Sequence, residues 1–199
     1  LINVKLDYEP ILGLVLGGIL VSSLFSSFTG VLKYFADAND TLPVMTFWLM
    51  GSLSSVNKKD VLMILTPMAL GFIPLFLVRW RLNVLAFGEE EAKALGVNAK
   101  LLRMIVIICS TLVTAASVSI SGMVGWIGLV IPHLARAIVG PNYKVLLPVT
   151  FVIGATYLLL IDDIARTVGS VEAPLGILTA LIGVPFFILI FKKNIRGWK

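Results

Sequence analysis

Long apolar stretches without charge alternate with short polar segments along most of this chain. Stretches that lack Asp, Glu, Lys and Arg cover residues 10–32, 61–78, 104–135, 145–161 and 173–191. A helix needs roughly 20 apolar residues to cross the hydrocarbon core of a bilayer, with about 17 to 25 observed. The pattern therefore predicts a chain that crosses a membrane several times.

The third stretch is too long for one crossing, and Ser, Gly and Pro interrupt it. We predict a full span over 101–121 and a short helix over 129–139. Residues 41–57 are also uncharged but carry many polar residues, so they predict a short outer helix over 43–49 that does not cross, because irregular backbone at membrane depth must be covered. The fold class predicted is an all-α membrane bundle of about six membrane helices, one of them short, in one domain over residues 1–199.

The distribution of Lys and Arg predicts the orientation of the chain. Twelve of the 16 basic residues lie on one side if the loop after the second span faces the cytoplasm. The four that then lie outside are Lys33, Lys58, Lys59 and Arg166. Because cytoplasmic loops carry the excess of basic residues, both ends of this chain are predicted to be cytoplasmic.

Composition excludes a soluble protein. Hydrophobic residues make up 58% of the chain and charged residues 14%, with a mean hydropathy of +1.01, whereas about a quarter of residues are charged in soluble domains. The net charge of +5 does not indicate nucleic acid, because the basic residues flank apolar runs and form no stripe with aromatics. The single His133 and single Cys109 provide no metal ligand set and no intrachain disulfide.

Small residues recur four apart in the first predicted span. Gly13 and Gly17 form a GxxxG pattern, and Gly18, Ser22 and Ser26 continue a ridge of small residues. Small faces let membrane helices approach closely. Ordinary packing within the chain explains the pattern, and a subunit interface or the wall of a pathway explains it as well.

The longest soluble-looking segment covers residues 81–100, with the sequence RLNVLAFGEEEAKALGVNAK. Glu89, Glu90 and Glu91 follow Gly88, which suits the positive end of a helix dipole. Gly96 follows Leu95 and is a typical end of a helix. The pattern predicts a short cytoplasmic docking helix between two membrane helices; a merely solvated loop helix is the alternative.

Several motifs now match a known family in order and spacing. They are FWLMGSL, GEEEAKALGV, SGMVGWIGLVIPHLARAIVGPNY, LLIDDIARTV and EAPLGILTALIGVPFFILIFKK. The chain resembles the membrane permease of ATP-binding-cassette (ABC) importers for iron siderophores, haem and vitamin B12. The resemblance begins near Ile11 and extends over nearly the whole remaining chain.

The resemblance implies a homodimeric ten-helix permease of which this chain is helices five to ten. The fragment is then not expected to transport by itself. ATP is bound and hydrolysed by a separate nucleotide-binding subunit, so this chain is expected to be neither an enzyme nor a cofactor-binding protein. The resemblance further implies that a periplasmic or lipoprotein binding protein delivers the substrate and that the permease lies among lipids in the bacterial or archaeal cytoplasmic (inner) membrane.

The resemblance also implies roles for particular residues. The segment between the second and third spans couples to the nucleotide-binding subunit, and it comprises Glu89, Glu90, Glu91, Ala92, Ala94, Leu95, Gly96 and Val97. Arg166 corresponds to an arginine that meets an acidic residue of the binding protein; the alternative is pairing with Asp162 or Asp163 on the same helix. Helices over 11–28, 43–49 and 175–191 line the pathway at the dimer axis, which places the small residues of the first span there.

Two other functions remain open. An ion-gradient-driven secondary transporter is one, although no Asp, Glu or His forms a relay at the span centres. A truncated membrane fragment without transport activity is the other. The residues do not separate a siderophore, haem, cobalamin or an oxyanion as the substrate.

Overall fold

The computed structural model describes residues 10–168 and 172–196, and it forms eight α-helices there. They are α1 (Pro10–Phe35), α2 (Thr41–Met50), α3 (Lys58–Leu85), α4 (Glu89–Ala94), α5 (Ala99–Ser121), α6 (Ile127–Val139), α7 (Tyr143–Thr167) and α8 (Leu175–Arg196). The chain divides into two compact units, residues 1–46 and 47–199. The predicted all-α architecture and its order of elements are confirmed.

Four helices of the described residues are long and apolar enough to cross a membrane. They are α1 from Val15 onward, α3, α5 and α7. Helix α1 continues to Phe35 and α3 to Leu85, beyond the ends of the uncharged stretches 10–32 and 61–78. Helix α6 has 13 residues, which confirms the predicted short helix.

The starts of α3, α5 and α7 are fixed by asparagine caps. Asn57 Oδ1 accepts the backbone N–H groups of Lys59 and Asp60 at 2.9 and 3.3 Å, and the Asp60 carboxylate accepts the Asn57 N–H at 3.0 Å. Asn98 caps α5 and Asn142 caps α7 in the same way. These side chains satisfy amide groups that the first turn of a helix leaves without a helical partner.

The helices of the second unit place their connections at two opposite ends. Asn83, in the last turn of α3, contacts Asn142 before α7, so the segment between α3 and α5 shares one end with the α6–α7 turn. At the other end the Ser52 N–H donates to the Ser121 carbonyl at 2.9 Å. Helix α7 has 25 residues and joins the two ends over roughly 37 Å at 1.5 Å per residue.

Three glycines allow backbones to touch at this second end, and we call Gly51, Gly122 and Gly176 the glycine junction. A Cβ on Gly122 would lie 2.1 Å from the Trp48 carbonyl oxygen, and one on Gly176 would lie 2.6 Å from the Met50 oxygen. Gly51 and Gly122 also have φ values of +77° and +65°. Glycine adopts this left-handed conformation readily, whereas a residue with a Cβ is strained there. The contact lets the Leu175 N–H donate to the Gly51 carbonyl at 2.9 Å.

We expect Gly122→Ala to destabilise the protein through both the positive φ and the clash with the Trp48 carbonyl. Backbone strain of this kind costs about 1–3 kcal/mol, which corresponds to a fall of roughly 2–12 °C in Tm. Thermal unfolding in detergent measures it. Gly128→Ala is the matched control, since a Cβ there meets nothing within 4 Å; an equal loss in both variants would contradict the assignment.

Candidate docking and pathway sites

Helix α4 begins and ends at the glycines that the sequence indicates. It starts at Glu89 after Gly88, whose φ is +121°, and three glutamates occupy its first turn. After Leu95 the chain turns at Gly96, with a φ of +75°. The Gly96 N–H donates to the Lys93 carbonyl at 2.9 Å and the Val97 N–H to the Ala92 carbonyl at 2.8 Å. This is the Schellman pattern of helix termination.

One side of this segment is anchored in the protein. Ala92, Val97 and Leu102 are buried, with exposures of 0%, 6% and 3%. The apolar residues packed against them all come from the last two turns of α3: Val78, Leu82, Val84 and Leu85. The anchoring argues against a freely solvated loop helix, because burial of apolar side chains holds the segment between α3 and α5.

The other side of the segment is open. Glu89, Glu90, Glu91, Ala94 and Leu95 are exposed, and the Leu95 side chain is 67% exposed. The Arg103 guanidinium forms an ion pair with the Glu89 carboxylate; an exposed pair of this kind adds little stability. A cleft of about 590 Å³ runs beside the helix, lined by Glu89, Lys93 and residues 96–100. The segment thus presents an acidic turn, a cleft and one apolar side chain.

Arg166 lies near the end of α7 that is opposite to the docking helix. Its Nε is 2.8 Å from Asp162 Oδ2, and its Nη1 is 3.5 Å from Glu172 Oε1. The intrachain pairing with Asp162 is therefore present. The arginine side chain is still 42% exposed, so it is accessible, and its docking role stays a prediction.

The small residues of the first span lie within α1 but not on one ridge. Successive helix residues are about 100° apart, so Gly13 and Gly17 differ by about 40° while Gly18, Ser22 and Ser26 form a second stripe. The centres of the two stripes are about 160° apart. Gly13 and Gly17 thus lie nearly opposite Ser22, and the interface role of either stripe stays a prediction.

The sequence did not reveal an open apolar pocket beside the glycine junction. Its volume is about 460 Å³, and its lining comes from Leu49, Met50, Met123, Gly125, Trp126, Gly176, Ile177, Ala180 and Leu181. Trp126 has a φ of +67°, the one positive φ of a non-glycine among the described residues. It fits there because Gly183 lacks a side chain; a Cβ at Gly183 would lie 2.7 Å from the Trp126 Cβ. The predicted pathway segments 43–49 and 175–191 both contribute to this lining.

The order of the helices, the anchored docking helix and the two-ended arrangement can be compared with known proteins. A profile of the FecCD transport family matches residues 4–193. The chain belongs to the FecCD transport family. It is accordingly a multi-pass membrane protein, as its apolar helices indicate.

Members of the FecCD family with known names resemble most of this chain. The molybdate import system permease MolB of Haemophilus influenzae is 45% identical over 99% of this chain and 58% of its own length. The cobalamin import system permease BtuC of Halobacterium salinarum is 37% identical over 97% of the chain and 52% of its own length. The chain therefore spans just over half the length of these relatives.

A solved structure also matches the fold of this FecCD chain. It is an inward-facing conformation of a metal-chelate type ABC transporter, with a TM-score of 0.88 and 46% sequence identity. The match covers 92% of this chain and 60% of the other. At this identity the agreement extends to the sequence as well as to the path of the backbone.

We expect Ala92→Glu to detach the docking helix, because it buries an unpaired carboxylate where the native side chain is 0% exposed, at a cost of at least about 2 kcal/mol. Amide hydrogen exchange over residues 89–97 is then expected to accelerate by more than about tenfold. Ala94→Glu is the control in the same helix, because Ala94 is exposed. Unchanged exchange in Ala92→Glu would contradict the anchoring.

Proposed function

We propose that this chain is the part of an ABC importer permease that couples ATP hydrolysis on a separate subunit to a pathway through the membrane. The observation that carries the proposal is the docking helix. One side of it is fixed by Ala92 and Val97, and the other presents acidic and apolar side chains to a partner. Membership of the FecCD family and the names of its relatives support the same function.

The proposed membrane orientation places the docking helix in the cytoplasm. The Arg166 end of α7 then faces the outside of the bacterial or archaeal cytoplasmic membrane, where a binding protein delivers substrate. Both ends of the given chain are cytoplasmic in this arrangement, as the distribution of basic residues predicts. The two docking ends are separated by the length of α7, roughly 37 Å.

The proposed cargo is a metal chelate or a related oxyanion. Relatives are named for molybdate, cobalamin and hemin, so the shared class is a compound that contains a ligated metal rather than one particular molecule. We propose that the pathway is formed with a second copy of the permease, by the first span, the helix over 43–49 and the last span. Selection among the chelates then belongs to the binding protein.

We expect Leu95→Asp in the full-length permease to weaken binding of the nucleotide-binding subunit by about tenfold or more, because a carboxylate without a partner would be buried in the contact in place of an apolar side chain. Leu95 is 67% exposed, so the fold is expected to remain. Pull-down from detergent measures the binding, and Ser55→Asp, exposed at the opposite end, is the control.

Two outcomes would overturn the proposed function. One is that the wild-type permease recovers no nucleotide-binding subunit. The other is uptake that persists when ATP is depleted but stops when the proton gradient collapses, which is the behaviour of a secondary transporter.

We expect Arg166→Glu to weaken binding-protein docking by about tenfold or more, because it places an acidic group opposite the partner's carboxylate. Arg166→Lys keeps the charge and is expected to lose less. Asp162→Asn is expected to leave docking intact or strengthen it, since Asp162 competes for the guanidinium at 2.8 Å. Affinity measured at two salt concentrations tests the charge dependence; equal affinities for wild type and Arg166→Glu would contradict it.

A further inference from the structure

Two asparagines 59 positions apart join α3 to the start of α7. Asn83 Nδ2 donates to Asn142 Oδ1 at 2.9 Å, and Asn83 Oδ1 accepts the Tyr143 N–H at 2.8 Å. Asn142 Oδ1 also accepts the Lys144 N–H at 3.0 Å. One side chain of α3 thus makes two hydrogen bonds to the first turn of α7.

Backbone N–H groups fix the direction of both amides. The Tyr143 N–H requires an acceptor, so the oxygen of Asn83 must face it, and the nitrogen of Asn83 then faces Asn142. The Lys144 N–H requires the oxygen of Asn142 in the same way. The two amides are therefore complementary in one arrangement, and an exchange of O and N in either one breaks two contacts.

The same turn of α3 holds the docking helix. Leu82 and Val84, the neighbours of Asn83 in the chain, pack against the buried cluster that includes Ala92 and Val97. Consecutive helix residues point about 100° apart, so the turn contacts the docking segment and α7 with different side chains. A displacement of the docking segment therefore has a short path to α7.

Helix α7 continues this path to the opposite end. Its residues Ile161 and Ala165 are buried against Leu175 at the start of α8, and the Ala173 N–H donates to the Ala165 carbonyl at 3.1 Å. Arg166 follows directly. Helix α7 is continuous from Tyr143 to Thr167, and Pro148 in its second turn removes one backbone hydrogen bond. We expect the helix beyond Pro148 to move as one unit, so that a shift near its start reaches its last turn.

We propose that Asn83 and Asn142 are positioning residues that transmit movement of the docking segment through α7 to the end that carries Arg166. Their proposed effect is exerted through α7 and not on ATP or substrate. The inference rests on the proposed function, because it assumes a nucleotide-binding subunit on one side and a binding protein on the other.

Local stability alone does not require the link. Asn142 caps α7 through the Lys144 N–H, without Asn83. The C-cap of α3 is Ala86, whose backbone N–H donates to the Leu82 carbonyl. The Asn83 side chain takes no part in this hydrogen bond. Substitutions can therefore remove the link and leave both helix ends formed.

The experiment uses the full-length permease in proteoliposomes with the nucleotide-binding subunit and the binding protein encoded beside it. Asn83→Ala removes both hydrogen bonds to α7. Asn142→Ser retains a helix cap but is too short to reach Asn83. Asn142→Asp is the matched control, because its carboxylate accepts from both Asn83 and the Lys144 N–H. Stimulation of ATP hydrolysis by the binding protein and pull-down of the nucleotide-binding subunit are the two readouts.

We expect Asn83→Ala and Asn142→Ser to bind the nucleotide-binding subunit as wild type does, but to lose about 2- to 30-fold of the stimulation. The stimulation of ATP hydrolysis in Asn142→Asp is expected to remain within about twofold of the wild-type value. The double variant Asn83→Ala with Asn142→Ser is expected to lose no more stimulation than either single variant, because both changes remove the same contact.

Stimulation that stays at the wild-type level in Asn83→Ala and Asn142→Ser would overturn the inference. So would an equal loss in all three single variants accompanied by a lower Tm, because that result indicates a purely structural role. Failure of the wild-type permease to bind the nucleotide-binding subunit would instead overturn the proposed function, and the inference with it.

Discussion

Backbone polar groups in a membrane protein must find partners inside the protein, because the hydrocarbon offers none. Regular helices satisfy this constraint along their length, so the demand concentrates where helices end. The structure meets it with asparagine caps at α3, α5 and α7 and with backbone contacts at the glycine junction. The helix ends, together with the apolar clusters, therefore determine which segments lie together.

The two ends of the second unit have different chemistry as a result. At one end a short acidic helix is held by a small apolar cluster, with its open side beside a cleft. At the other, backbone segments meet through glycines and Trp126 lies next to an open apolar pocket. The first end thus leaves acidic and apolar side chains exposed, while the second brings backbone segments into direct contact. Helix α7 connects them and carries a polar contact at each end, Asn142 and Arg166.

Charge has a limited part in stability here. The ion pairs of Arg103 with Glu89 and of Arg166 with Asp162 and Glu172 are partly exposed, and pairs of this type contribute little to folding. These ion pairs leave their charged side chains partly exposed to solvent. Arg166 is held in place by its own chain and still offers a guanidinium to a partner, so its intrachain pairing and its proposed docking role are compatible.

The sequence by itself determined the class of protein, the order of the helices and the position of α4, because these depend on local properties: uncharged length, an acidic first turn, and glycines at 88 and 96. The positions of Gly13, Gly17 and Ser22 in the sequence, at about 100° per helix residue, are also enough to place the two glycines nearly opposite the serine. Only the tertiary structure decided that Gly51, Gly122 and Gly176 meet, that Trp126 packs on Gly183, and that Asn83 bonds Asn142. These contacts join residues far apart in the chain, and no local periodicity encodes which distant backbone or amide a residue will meet.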